Sequence, residues 1–133
     1  MVVVLAIDPG QHKCGVAVVR EREGAFEVLY QGVTTTADLR GLLADLAGRY
    51  QPGTVVVGNG TNSAEIVRIV ERAQAAPVVT IDEKFSTILA RDRFFRQNPP
   101  RGLRRLIPLS LQTPSRPYDD YVAVILAEKY LSS

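Results

Sequence analysis

Asp8, Glu83 and Asp119 are the residues whose types and placement could do chemistry. Asp8 ends the apolar run Val2-Val3-Val4-Leu5-Ala6-Ile7, Glu83 follows Val78-Val79-Thr80-Ile81-Asp82, and Asp119 opens a stretch with helical spacing. Each falls where a strand or helix would present it at one edge of a sheet. Carboxylates far apart in sequence, each at the end of a buried element, could converge into a divalent-metal site. Mg²⁺ prefers oxygen ligands and keeps several waters, so a few carboxylates suffice. Two such ions about 4 Å apart can activate a water and stabilise the leaving oxyanion of a phosphodiester. Each acid also has a plainer reading. Asp8 could be a turn carboxylate before Pro9, and Asp119 and Asp120 could complement the dipole at a helix N-terminus. Gly10 and Gly15 favour the chemical reading of Asp8, because glycines there let a backbone or phosphate come close.

Charge supports a polyanionic partner. The 133 residues carry a net charge of only +2, but it is unevenly spread. Residues 84–116 hold eight basic residues against Asp92 alone, a net +7, while the rest holds 8 basic and 13 acidic residues, a net −5. Lys84, Arg91, Arg93 and Arg96 lie in or near a helical pattern. Arg101, Arg104, Arg105 and Arg116 lie in a segment, 98–118, with five prolines. That stiff loop is expected to grip phosphates; a solvated, arginine-rich surface is the bland alternative.

The remaining polar residues carry weaker signals. His12 is either a base, a phosphate contact or a solvated loop side chain, and Lys13 is a similar case. Ser86 and Thr87 suit helix capping better than nucleophilic catalysis, because His12 is the only histidine and no triad can form. Phe94 and Phe95 read as core rather than as base-stacking platforms. Cys14 is the single cysteine, which excludes an internal disulfide or a paired-cysteine metal site and fits a reducing, cytoplasmic setting. The N-terminal apolar run spans only residues 2–7, so neither a secretory leader nor a membrane span is expected.

The elements that must position these residues follow from periodicity. Residues 2–7 read as a fully buried strand, Val16–Val19 begin a second, and Phe26 to Val33 form a third after a Gly24 turn. Thr34-Thr35-Thr36 offer caps for a helix over 37–50, with Leu39, Leu42, Leu43, Leu46 and Tyr50 at helical spacing. Val55–Val57 is a short buried strand parallel to the first. Asn62 and Glu65 resemble a capping box for a helix near 63–75. A fifth strand covers 78–82, helices are expected over 86–97 and 119–131, and Asp82 should face away from Glu83. Length and apolar content of 46% indicate one domain, residues 1–133, with a real core. The expected fold is α/β: a mixed five-stranded sheet, an antiparallel three-strand meander plus parallel strands, flanked by helices. This order matches the ribonuclease H-like fold.

Three motifs occur in order over essentially the whole chain: Asp8-x-Gly10-x-x-x-x-Gly15-Val16-Ala17-Val18, then Asp82-Glu83-Lys84-Phe85-Ser86-Thr87, then Asp119-x-x-x-Ala123-Val124-Ile125-Leu126-x-x-x-Tyr130-Leu131. Together they resemble the YqgF/RuvX family, in the RuvC-like branch of the ribonuclease H fold. The resemblance implies a nuclease on structured nucleic acid, with Holliday-junction resolution and precursor ribosomal RNA processing as the proposed roles. It carries Asp8, Glu83 and Asp119 over as the acidic site, with Asp8 bridging two Mg²⁺ or Mn²⁺ ions, the other two acids completing one side each, and Asp120 available to assist. Lys13, Lys84, Arg101, Arg104, Arg105 and Arg116 would contact nucleic acid. The chain departs from the family pattern at Gly58-Asn59-Gly60, at Lys84 in place of an arginine, at His12 in place of a lysine, and in the long Pro/Arg segment before Asp119. Lys84 keeps the charge but loses bidentate geometry.

Three functional classes follow. The leading expectation is a metal-dependent endonuclease on structured DNA or RNA. The second is a non-catalytic nucleic-acid-binding module that assists ribosome maturation or recombination. A phosphotransferase of the actin-like type, suggested by the first motif alone, would need two such domains and a second phosphate loop. Symmetric cutting of a four-way junction would need two active sites and hence a homodimer, whereas a monomer would suit trimming of single-stranded RNA.

Overall fold

The computed structural model describes residues 2–60, 62–73, 76–82 and 119–132. Strands β1 (Val2–Asp8), β2 (Lys13–Arg22) and β3 (Ala25–Thr35) come first. They are followed by helix α1 (Leu39–Tyr50), strand β4 (Thr54–Gly58), helix α2 (Ser63–Ala73), strand β5 (Val78–Ile81) and helix α3 (Asp119–Ser132). The expected helix over 86–97 lies outside the described residues. Among these residues no helix is long and apolar enough to cross a membrane.

The strands form one sheet in the order β3-β2-β1-β4-β5. β1, β2 and β3 are an antiparallel meander, and β4 and β5 continue the sheet parallel to β1. This is the mixed sheet expected from the sequence. β1 is central, which explains its composition. A strand covered on both faces cannot alternate polar and apolar residues, so it reads as a continuous apolar run. Val4, Leu5, Ala6 and Ile7 are all fully buried.

The two faces divide the core cleanly. Val4, Ala6, Ala17, Val19 and Val56 pack with Val122, Ala123, Leu126 and Ala127 of α3. Leu5, Ile7, Val16, Val18, Val55 and Val57 pack with Leu39, Leu43 and Leu46 of α1 and with Ile66 and Val70 of α2. The result is three layers: α3, the sheet, then α1 with α2. α3 packs most extensively on β2 and β1.

Two local details differ from the sequence reading. The threonine run does not cap α1. Lys13 pairs with Thr35, so β3 runs to Thr35 and the helix starts only at Leu39. Thr35 instead closes the turn: its Oγ1 accepts from Asp38 N (3.2 Å) and donates to Asp38 Oδ2 (3.0 Å). Asp38 is the N-cap by position but makes no side-chain cap bond. Asn62 does not act as half of a capping box either. It adopts a left-handed backbone, φ 67°, whereas an N-cap residue ordinarily sits in the β region. Its carbonyl accepts from Ile66 N (3.3 Å), while its side-chain nitrogen donates to the Gly10 carbonyl (3.3 Å).

The central position of β1 makes a direct stability prediction. Leu5→Ala should destabilise the protein by about 2–5 kcal/mol, because it leaves a cavity between a central strand and two helices. Urea unfolding followed by circular dichroism measures this; a loss below about 1 kcal/mol would contradict a tightly packed β1.

Candidate active site

The parallel strands end together. Ile7 pairs with Val57, and Gly58 pairs with Ile81. The Asn59 N–H donates to the Ile81 carbonyl (3.0 Å) and carries this pairing one step further. Asp8, Asn59 and Asp82 therefore mark one carboxyl edge of the sheet. In open α/β sheets, ligands bind in the crevice beyond that edge.

Side-chain alternation gives the face. Val4 and Ala6 point into the α3 layer, so Asp8, two residues on, belongs to the same side. Asp8 is half-buried and pairs with Gly15 of β2. Gly15 presents no side chain beside it, so β2 leaves room next to the carboxylate. Lys13 alternates with Gly15 and Ala17 and shares that face, but it is exposed. A carboxylate and an ammonium thus flank one edge on one side: an anchor for a cation and a contact for an anion.

The loop joining β1 to β2 is held from two directions. The His12 carbonyl accepts from Thr36 N (3.0 Å), and the Gly10 carbonyl accepts from the Asn62 side chain (3.3 Å). A Cβ at Gly10 would stand under 3.0 Å from the Lys13 carbonyl oxygen, so the turn admits only glycine without moving backbone. This contact was not anticipated. The only hint in the sequence was an Asn, a residue that tolerates the left-handed region, placed after Gly58-Asn59-Gly60. His12 itself is exposed.

Of the acids inferred from sequence, Asp8 lies at the predicted edge. Asp119 and Asp120 are the first two residues of α3, the helix on Asp8's side of the sheet, and their side chains are not among those described. Glu83, Lys84, Arg101, Arg104, Arg105 and Arg116 lie outside the described residues. Among the described residues no group of three or more His, Cys, Asp or Glu could hold a metal ion. At the other end of α3, Lys129 Nζ donates to the Asp82 carbonyl (2.6 Å) and ties the last turn to the end of β5. With that turn at β5 and its buried face on β2 and β1, α3 lies across the sheet.

The architecture is that of an α/β protein with a ribonuclease H-like fold. Solved structures of other proteins share this fold. RuvC from Thermus thermophilus superposes with a TM-score of 0.59 at 19% identity, over 97% of this chain and 94% of that one. The fowlpox virus Holliday junction resolvase gives a TM-score of 0.61 at 12% identity, over 98% and 97% of the two chains. The same viral resolvase in complex with its substrate, Holliday junction DNA, gives 0.62 at 15% identity, with the same coverage. At these identities the likeness is one of fold. Neither a protein-family model nor a curated protein sequence matches the chain.

Gly10→Ala should lower stability by about 1–3 kcal/mol, the usual cost of forcing an extra carbon into packed structure. Asn62→Ala should cost about 0.5–1.5 kcal/mol for one lost hydrogen bond. Thermal unfolding of both variants tests this, and a Gly10→Ala protein as stable as wild type would mean that the turn is not the tight one described.

Proposed function

We propose that the chain is a single-domain, divalent-metal-dependent endonuclease that hydrolyses phosphodiester bonds in structured nucleic acid, with four-way junction DNA as the favoured substrate class. The observation that carries this reading is the position of Asp8: a carboxylate at the end of the central strand, at the carboxyl edge, facing the layer that contains α3. Two solved structures of the same fold bear the name Holliday junction resolvase or its substrate complex, which supports junction DNA over precursor ribosomal RNA.

The donor chemistry fits Mg²⁺ or Mn²⁺. Asp8, Glu83 and Asp119 are all carboxylates, the hard oxygen ligands that these ions take, and Asp120 adjoins the set. These residues would hold the metal. When bound, such ions supply a nucleophilic water at neutral pH and charge stabilisation for the leaving oxygen. The chain's own residues do the rest. Asp8 is set by β1, with no side chain from Gly15 to crowd it. Lys13 on the same face offers a phosphate its positive charge at the edge. Lys84, Arg101, Arg104, Arg105 and Arg116 would grip the flanking phosphates, which position the substrate without reading its sequence. Two-fold cutting of a junction would pair two copies of the chain.

The test is cleavage of a synthetic four-way junction, duplex DNA and a precursor ribosomal RNA fragment in Mg²⁺ and in Mn²⁺. Wild type should cut the junction. Asp8→Asn should cut it at least about 10²-fold more slowly, since the metal's contribution is several kcal/mol. Chelation should abolish cutting and leave binding intact. Binding of every substrate without cutting of any, in either metal, would overturn the enzyme and leave a nucleic-acid-binding module.

A further inference from the structure

One face of α2 has no part in the core. Ile66 and Val70 are buried against the sheet. Glu65, Arg68 and Arg72 are exposed and recur at spacings of three and four, so they form a separate stripe, while the half-buried Ile69 beside them packs against the core. That stripe and the first turn of the helix line an open groove of about 490 Å³. Arg68 Nε donates to the Ala64 carbonyl one turn back (3.4 Å), which lays its stem along the groove. Among the described residues, neither Arg68 nor Arg72 forms an ion pair. Two guanidinium groups four residues apart repel each other, and Glu65 at the head of the stripe offsets only part of that charge. A polyanion in the groove would relieve that repulsion and gain bidentate contacts.

The groove begins at the edge that carries Asp8. α2 follows the carboxyl end of β4, and the Asn62 side chain ties its start to Gly10, two residues after Asp8. From there Arg68 and Arg72 lie about 9 Å and 15 Å down the helix, at 1.5 Å per residue. α2 belongs to the layer opposite α3, whereas Asp8 faces α3. The groove therefore cannot hold the phosphate at Asp8. It suits the strand after that strand has crossed the edge.

We infer that α2 carries a second phosphate-backbone subsite, in which Arg68 and Arg72 hold phosphodiester groups of the nucleic acid beyond the edge bearing Asp8. This rests on the nucleic-acid reading above. The ligand chemistry is the phosphodiester backbone, which DNA and RNA share. Glu65 stands in the same stripe and opposes an anion there, which gives the subsite a built-in test of sign.

The experiment is equilibrium binding of the full chain to a labelled four-way DNA junction and to a labelled RNA hairpin. It is read by fluorescence anisotropy across a salt series, with chelator present so that binding is separated from cutting. For the Arg68→Gln/Arg72→Gln protein the slope of log affinity against log salt should be shallower by about 1.8, two contacts at roughly 0.9 each. Arg68→Lys/Arg72→Lys should keep the wild-type slope, and Glu65→Gln should bind more tightly than wild type. A change on only one of the two nucleic acids names the source of the phosphates. Wild-type slope and affinity in the double glutamine variant, on both ligands, would overturn the subsite alone. Wild-type chain that binds neither ligand would overturn the subsite together with the reading it rests on. If the double glutamine variant fails to fold, Glu65→Gln decides: unchanged affinity overturns the subsite.

Discussion

β1 is buried on both faces, and most of the structure depends on how that is achieved. Val2 at the start of the apolar run is 49% exposed, but Val4, Leu5, Ala6 and Ile7 are fully buried, so helices must cover the sheet on each side of those four residues. Odd-numbered positions of β1 take up α1 and α2; even-numbered positions take up α3. The first polar residue after the run is Asp8. Its face is thereby decided by the same alternation that packs Val4 and Ala6. A change of one residue in the length of β1 would turn that carboxylate to the other layer, because strand side chains have a period of two. Core packing and site placement are one constraint.

The edge around Asp8 is shaped by what is missing as much as by what is present. Gly15 withholds a side chain beside the carboxylate, and Gly10 permits a turn in which a Cβ would meet the Lys13 carbonyl. Asn62 then fastens this turn to the start of α2 from 52 residues away. The same bond that steadies the loop after Asp8 also sets where the groove along α2 begins. A residue pair with no chemistry of its own thus couples the proposed acidic site to the proposed phosphate subsite.

The sheet was legible before any coordinates. Five strands, the meander followed by parallel strands, and the helices expected over 37–50, 63–75 and 119–131 all follow from apolar periodicity, with most ends off by a residue or two and β2 starting three residues earlier than expected, at Lys13. Where the local reading failed, a longer-range pairing had overridden it. Thr34 and Thr35 look like caps in isolation, yet the pairing of Lys13 with Thr35 draws them into β3. Asn62 looks like half of a capping box, yet its side chain is drawn to Gly10. Hydrogen-bond partners distant in sequence leave no periodic trace, so local pattern cannot find them.

The same division holds for the site. Sequence alone determined that Asp8 ends a buried strand, that Asp119 opens a helix, and that the basic residues cluster at 84–116. These are properties of residue order and composition. Tertiary structure alone decided that Asp8, Gly15 and Lys13 share one face, that the ends of β1, β4 and β5 form one edge, and that Arg68 and Arg72 line a groove starting from it. Those facts depend on strand order and on which helix covers which face. Both are set by the burial of surfaces from separate parts of the chain, which short-range pattern does not encode.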